Sequence, residues 1–300
     1  MVRCSVCIAT YKRPDLLNKL LLSLEQQILP SDVEMETLVV DNDAAESARQ
    51  VCEKFLDSET LHLTYLRQPL KSISLTRNMA VKYATGPYLL FIDDDEFASF
   101  EWIATMLQTI ETHGADGVVG AVLPDFHPGT PNWMKKAHVF NRPLSPTGTT
   151  RRVMSTSNCM VKASLLKTIP GPFDPRYGLT GGEDVHLFNQ LYRAGAKFVS
   201  SREAWVKEYV PPERTTLAWM FKRTLRSGNS YVRRQLDFAG KRHLLVRLAT
   251  LFKTLVFTIV CVALAIVMVP SPQRSLRWLL KGSSNIGQLL AVFGLRIQEY

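Results

Sequence analysis

LLFIDDDEF, residues 89–97, decides how this chain is read: four consecutive acids follow directly on an apolar run of the length of a buried strand. Two carboxylates about 4 Å apart repel by about 4 kcal/mol at an effective dielectric of about 20. Such a cluster needs a cation, a hydroxyl-rich ligand or open water. A solvated acidic turn is the plainest account of it. The segments on either side argue for more.

Upstream, residues 6–9 read as a short apolar strand ending at Thr10-Tyr11. Pro14 then opens a helix whose Leu16, Leu17, Leu20, Leu21, Leu24 and Ile28 share one face. A second strand at 38–40 ends at Asp41-Asn42-Asp43. A helix over 45–55, a strand over 61–66, a helix over 74–84 and the strand 88–92 complete the alternation. Strands apolar on both faces, separated by helices, predict a mostly parallel sheet covered on both sides. Ligands of such sheets bind at the carboxyl ends of the strands. Three polar clusters fall there: Thr10–Arg13, Asp41–Asp43 and Asp93–Glu96. Neither G-x-G-x-x-G after the first strand nor G-x-x-x-x-G-K-[ST] is present. A nucleotide bound here is therefore expected to be held by carboxylates and a divalent ion.

Downstream, a strand is expected over 118–122, a proline-punctuated stretch over 124–146 and strand character again over 153–161. Gly181-Gly182-Glu183-Asp184 then precedes Val185, Leu187, Phe188, Leu191 and Tyr192 at helical spacing. Both carboxylates fall on the first turn of that helix, where the N-terminal dipole favours the ionised form. Asp184 is thus a candidate proton acceptor.

The five cysteines are scattered, and Cys4 and Cys7 lie within an expected strand with no second pair to complete a zinc site, so reduced thiols are expected. No secretory leader is expected ahead of the first strand. The net charge of +9 is uneven: residues 222–253 hold nine basic residues against one acid, Asp237, a local +8. The remainder is close to neutral, which argues against a general nucleic-acid-binding surface. The basic block runs into TLVFTIVCVALAIVMV, residues 254–269, sixteen residues without a charge. With its neighbours this approaches the roughly 20 residues of a membrane span, and basic residues beside it favour an anionic cytoplasmic leaflet. A single span and a re-entrant hairpin are both compatible with the pattern, with 275–296 as a second, interfacial helix. The expected domains are 1–235 and a membrane-associated 236–300.

Four segments in this order, CIATYKRPDLL, LVVDND, SISLTRNMAVKYATGPYLLFIDDDE and GGEDVHLFNQLYRAG, resemble family 2 glycosyltransferases of the GT-A fold over residues 3–235. More narrowly, SLTRN, PNWM, GGED and EAWVKEYVPPERTTLAW are similar to glucosyltransferases of succinoglycan-type exopolysaccharide assembly. The resemblance implies a Rossmann-like sheet with helices on both faces and C-terminal membrane-associated helices. It further implies inverting transfer of a hexose, glucose foremost, from a UDP-sugar to a saccharide hydroxyl. The acceptor would be lipid-linked, and the catalytic domain would face the cytoplasm at the inner membrane. Carried over residue by residue, Thr10, Tyr11 and Arg13 would border the nucleotide and Asp41 would accept from the uracil ring. Arg77 and Asn78 would shape the diphosphate and sugar pocket. Asp93 would face the ribose or the sugar, with Asp94 beside it. Asp95 would bind Mn2+ or Mg2+, with Asp93 and Glu208 as further metal ligands to consider. Asp184 would be the catalytic base and Glu183 would position the acceptor.

The sequence departs from the family at Lys207, where a histidine is common. A lysine there neutralises diphosphate directly or is a plain surface residue. Arg223 and Arg226 fall where the family closes over the diphosphate, and equally within the basic block that suits lipid headgroups. Two other classes compete: a membrane-tethered nucleotide-sugar-binding protein without turnover, and a nucleotidyl or sugar-phosphate transferase on a similar sheet. The second would carry a glycine- and lysine-rich loop after the first strand, which this chain lacks.

Overall fold

The computed structural model describes residues 1–136, 140 and 145–298, so the proline-punctuated stretch 124–146 lies partly outside the described residues. The chain forms two compact units, Met1–Leu123 with Pro143–Glu208, and Pro124–Arg142 with Tyr209–Tyr300. The expected boundary after residue 235 falls inside the helix Leu217–Asp237, which belongs to the second unit.

Alternation runs as the apolar pattern predicts: β1 (Val2–Thr10), α1 (Pro14–Glu25), β2 (Val33–Asp41), α2 (Arg49–Glu53), β3 (Leu63–Arg67), α3 (Ile73–Tyr83), β4 (Tyr88–Asp93), β5 (Glu96–Ala98) and α4 (Trp102–Thr112). There follow β6 (Gly117–Phe126), α5 (Asn132–Lys135), β7 (Cys159–Lys162), α6 (Ala163–Lys167), α7 (Glu183–Arg193) and β8 (Phe198–Val210). The sheet order is β3-β2-β1-β4-β7-β6-β8-β5. Its first four strands are parallel. The β4–β7, β7–β6 and β8–β5 pairs are antiparallel. Parallel register puts Thr10 opposite Asp41 and Ala9 opposite Asp93, so the three polar clusters share one edge.

Helices cover both faces. On one, Leu17, Leu20, Leu21 and Leu24 of α1 and Trp102, Ile103 and Met106 of α4 pack on Val6, Ile8 and Val39. On the other, Ala80 and Val81 of α3, Leu166 of α6 and Leu187 and Phe188 of α7 pack on Cys7, Leu38, Val40 and Phe91. Full burial of each such aliphatic side chain stabilises by roughly 1.5–3 kcal/mol. All five cysteines are buried and unpaired to one another.

Two expected elements are shorter than their composition suggests, each for a local reason. The helix over 45–55 contracts to α2 because Asp43 accepts from the Ala45 N–H (3.2 Å) and Asp41 from the Ala48 N–H (2.8 Å), which holds that loop outside helical geometry. The strand over 153–161 contracts to β7 because Asn158 adopts a left-handed backbone, φ 54°. Asn158 is fully buried, and its amide donates to Ala121 O (2.7 Å) and Ala204 O (2.9 Å) while accepting from Trp102 Nε1 (2.7 Å). One side chain thus ties β6, β8 and α4 together.

The second unit contains α8 (Leu217–Asp237), α9 (His243–Val267) and α10 (Pro272–Val292). Met220 packs with Leu276 and Leu280, and Val232 and Leu236 with Ala291 and Val292, so α8 and α10 run in the same direction. Ser275 Oγ donates to Ala265 O (2.8 Å) while Leu251 packs near Ala291, so α9 runs the opposite way. Gly228 and Gly287 are required where α8 and α10 touch: a Cβ at either would enter the carbonyl of Ser284 or Leu225.

Replacing Asn158 with Ala strands three buried partners, each costing roughly 1–3 kcal/mol. Asn158→Ala is therefore expected to destabilise the sheet unit by about 3 kcal/mol or more. A urea midpoint matching the wild type would show that the junction is held by other contacts.

Candidate active site

The site assembles at the carboxyl edge of β1 and β4, where α3 and α7 begin. Lys12 takes a left-handed backbone, φ 56°, which turns the chain so that Arg13 points back over the acids. Arg13 Nη1 donates to Asp94 Oδ1 (3.0 Å) and Asp95 Oδ2 (3.2 Å), and Thr10 Oγ1 donates to Asp94 Oδ2 (2.9 Å). Burial pushes the Asp94 carboxyl up to about 6; Arg13 opposes the shift and Asp95 adds to it. Asp94 and Asp95 are turned inward, whereas the Asp93 side chain is 39% exposed. Asp93 is the carboxylate of this corner that a ligand meets first.

Arg77, on α3, joins the two acidic motifs. Its Nη2 donates to Asp93 Oδ1 (3.1 Å), and its Nη1 pairs with Glu183 Oε1 on α7. Gly181 and Gly182, at φ 68° and 92°, are the left-handed residues that bring the chain into α7. Glu183 is 2% exposed, and its Oε2 is buried without a hydrogen-bond partner. Burial raises its carboxyl to about 7; the Arg77 charge lowers it and the adjacent Asp184 raises it. Asp184 is half-buried, with Oδ1 accepting from Val185 N (2.7 Å) and Oδ2 from Thr156 N (3.3 Å). The Cys159 thiol is pushed well up by burial, with Arg77 opposing the shift and Asp184 and Asp93 adding to it.

Several expected residues also hold the frame. Asp41 is fully buried, and its oxygens accept from Asp43 N (2.9 Å), Ala48 N (2.8 Å) and Tyr65 Oη (3.1 Å). These bonds organise the loop after β2. Asn78 is bonded to backbone likewise. Its Nδ2 donates to Phe173 O (2.8 Å) and its Oδ1 accepts from Phe173 N (2.9 Å), so it clamps the segment leading to α7. Lys207 lies over the Trp205 ring, Nζ 5.8 Å from its centre, on the strand face opposite to Glu208. Glu208 pairs with Glu96 in the β5–β8 ladder and so faces the side of the acidic turn. Arg223 and Arg226 belong to α8 of the second unit; Arg223 lies 6.0 Å from the centre of the Trp219 ring. Tyr11 has Lys12 Nζ at 5.3 Å and Lys71 Nζ at 5.0 Å from its ring. Lys71 and Asn42 were not legible as site residues. Asn42 donates to Gln68 O and Leu70 O and accepts from Ser72 N, fixing the loop that carries Lys71.

The donor chemistry fits a hard divalent cation. Five carboxylates, at 93, 94, 95, 183 and 184, surround two guanidiniums, and aspartate oxygens suit Mg2+ or Mn2+. Among the described residues no three His, Cys, Asp or Glu side chains close into a complete cage. Mg2+ in particular is commonly bound by one or two carboxylates with phosphate oxygens and water, and such a site does not need one.

A mostly parallel, two-face-covered sheet with acids at its carboxyl edge is a GT-A glycosyltransferase fold. The glycosyl transferase family 2 model matches residues 5–169, and the chain belongs to that family: it is a glycosyltransferase. It is 32% identical, over 98% of its length and 94% of the relative's, to the succinoglycan biosynthesis protein ExoM of Rhizobium meliloti (strain 1021). It is 24% identical, over 70% of its length and 52% of the relative's, to validoxylamine A glucosyltransferase of Streptomyces hygroscopicus subsp. limoneus. Among solved structures, Staphylococcus aureus TarS 1–349 in complex with UDP-GlcNAc superimposes with a TM-score of 0.53 at 19% identity, covering 97% of this chain and 90% of that one. GalNAc-T7 with UDP, GalNAc and Mn2+ superimposes with a TM-score of 0.56 at 14% identity, covering 80% and 51%.

The raised Glu183 carboxyl has a stability consequence. Its folded value, about 7, lies above the ordinary 4.5, so the folded protein holds this proton across that interval. The associated stabilisation is complete below pH about 4.5 and is lost as pH rises through about 7. The urea midpoint of Glu183→Gln minus that of the wild type should therefore increase from pH 4.5 to 7.5. A difference flat across that range would mean that Glu183 does not hold the proton.

Proposed function

We propose that this protein transfers a hexose, glucose foremost, from a UDP-sugar to a hydroxyl of a lipid-linked saccharide, with inversion, in exopolysaccharide or cell-surface glycan synthesis. The observation that carries the reading is the Arg77 bridge, which brings the Asp93 corner and the Glu183-Asp184 turn to one place. Near-full-length similarity to a succinoglycan biosynthesis protein supports the pathway class, and a structural neighbour bound to UDP-GlcNAc supports the donor class.

In this reading Thr10, Tyr11 and Arg13 border the nucleotide, with Lys71 beside Tyr11, and Asp93 faces the donor's ribose or sugar. Asp95 holds a divalent cation, with Asp93 and Glu208 as the neighbouring carboxylates. When bound, the cation neutralises charge on the departing diphosphate. Without such neutralisation, a diphosphate would approach a corner where carboxylates outnumber guanidiniums. Asp184 is the half-open carboxylate of its pair, held by two backbone N–H groups, and removes the proton of the acceptor hydroxyl. That oxygen bonds to the anomeric carbon as the bond to UDP breaks on the opposite side. Glu183, more enclosed and tied to Arg77, positions the acceptor rather than taking its proton.

We further infer that α9 places the enzyme at the cytoplasmic membrane face. Phe252, Ile259 and Ile266 are 74%, 71% and 67% exposed, while Thr250, Thr254, Cys261 and Ala265 are buried. Large apolar residues outside and small ones inside is the arrangement of a helix solvated by lipid. The helix lies in the interface in this reading. Ser283 of α10 bonds Phe221 O, and Gly282 touches Cys261, so exposed Lys222 and Arg223 of α8 are level with the middle of the apolar stretch. A bundle crossing the bilayer would bring both charges to its midplane at about 2.5–3.5 kcal/mol each.

Asp184→Asn should lower transfer by about 10²–10⁴-fold, the usual worth of a positioned base, while UDP binding is retained. Transfer at the wild-type rate would remove Asp184 from the chemistry. Asp95→Asn should raise the Mn2+ concentration for half-maximal UDP-dependent metal binding by about tenfold or more. An unshifted titration would place the metal elsewhere.

A further inference from the structure

The turn between α9 and α10 encloses a cavity of about 270 Å³ lined by Met268, Arg274, Arg277, Trp278 and Lys281. Residues 274, 277, 278 and 281 follow helical spacing, so they form one face of α10. The Lys281 ammonium rests 5.0 Å from the centre of the Trp278 ring. No Asp or Glu occurs between residues 238 and 298, and no ion pair engages Arg274, Arg277 or Lys281 among the described residues. Three neighbouring cations around a cavity, paired with no acid among the described residues, are complementary to an anion. Two of them are guanidiniums, whose planar forks match phosphate oxygens.

The walls indicate what else the ligand carries. Met268, the Trp278 ring and the hydrocarbon stems of the basic residues are apolar, and Met268 directly follows the exposed apolar face of α9. A cationic rim over apolar walls, continuous with a lipid-solvated helix, fits a molecule with a phosphate at one end and a hydrocarbon chain at the other. We propose that this cavity binds the phosphate headgroup of a membrane lipid. The proposal rests on the membrane reading of α9 and adds a specific headgroup site to it. The phosphate is held by Arg274, Arg277 and Lys281, Trp278 packs at the level of the ester, and the chain continues along α9.

The test is flotation of the full-length protein with phosphatidylcholine vesicles and with the same vesicles doped with phosphatidic acid. Binding to phosphatidylcholine alone reports on α9; the ratio of the two affinities reports on the cavity. The wild type should prefer phosphatidic acid by about tenfold or more, given about 1 kcal/mol for each basic residue near an anionic surface. The triple variant Arg274→Gln/Arg277→Gln/Lys281→Gln should lose that preference and keep its binding to phosphatidylcholine. The charge-matched variant Lys241→Gln/Arg242→Gln/Lys253→Gln should keep the preference. Arg274→Lys/Arg277→Lys, which keeps the charge but removes both guanidinium forks, should lose part of the preference, and full retention would reduce the effect to diffuse charge and overturn the site. Equal loss in the two Gln triples would reduce the effect to diffuse charge and overturn the site. Displacement from phosphatidic acid vesicles by equimolar inorganic pyrophosphate would assign the cavity to a free phosphate and overturn the lipid. A wild type that floats with neither vesicle would sink the membrane reading itself, whereas phosphatidylcholine binding with no phosphatidic acid preference would sink the headgroup site alone.

Discussion

Arg77 is the constraint on which the site depends. Its side chain is only 11% exposed, yet its guanidinium divides between Asp93 and Glu183, which are ninety positions apart in the chain. A buried arginine left without either partner would carry an uncompensated charge, a loss that typically costs 3–5 kcal/mol. The triple-aspartate corner and the Gly-Gly-Glu-Asp turn are therefore coupled: displacing one unseats the counter-ion of the other. Arg13 does the same work for Asp94 and Asp95. Two arginines thus bring together motifs that are only ordered along the chain. Of the acids Arg77 holds, Asp93 stays 39% exposed, while Glu183 Oε2 is buried without a hydrogen-bond partner.

What could be read from the residues and what could not differ for a physical reason. Periodicity found α1 and α3 nearly to the residue, because Leu17, Leu20, Leu21 and Leu24 form one buried stripe and Ser72 caps α3 through the Leu75 N–H. The acids at strand ends were visible because an apolar strand stopping at a charge run is a local pattern. The functions of Asp41 and Asn78 were not, since whether a polar side chain faces ligand or backbone depends on partners far along the chain. Asn78 answers to Phe173, ninety-five positions away. Asn158 was hidden for the same reason: its three bonds reach Trp102, Ala121 and Ala204. Lys71 was hidden in a loop with no periodicity. The polar run around Asn42 and the Gly-Gly pair are local signals, whereas the partners of Lys71 are not.

The two units bury different kinds of side chain. In the sheet unit Trp102, Phe91 and Phe188 are buried. Along α9, threonine, cysteine and alanine are inside and phenylalanine and isoleucine outside. A helix in water exposing this much contiguous apolar surface would invite aggregation; in lipid the same surface carries no penalty. Length and composition make α9 a span candidate. In the interfacial reading proposed above, the charges of α8 run alongside its apolar middle.

The acids of α7 show how burial divides labour between adjacent identical charges. Glu183 and Asp184 share a helix turn, so their contact with the helix dipole is nearly the same, and the difference between them is exposure and partners. Glu183 is enclosed, pushed up to about 7 and tied to Arg77. A carboxyl so placed and so held suits a group that keeps one fixed hydrogen bond. Asp184 keeps two backbone donors and a path to solvent. On the proposed reading of Asp184 as the base, that access to water lets it return the proton taken from an acceptor to bulk solvent before the next turnover. Any base must be regenerated, and in this pair exposure is what distinguishes the two residues.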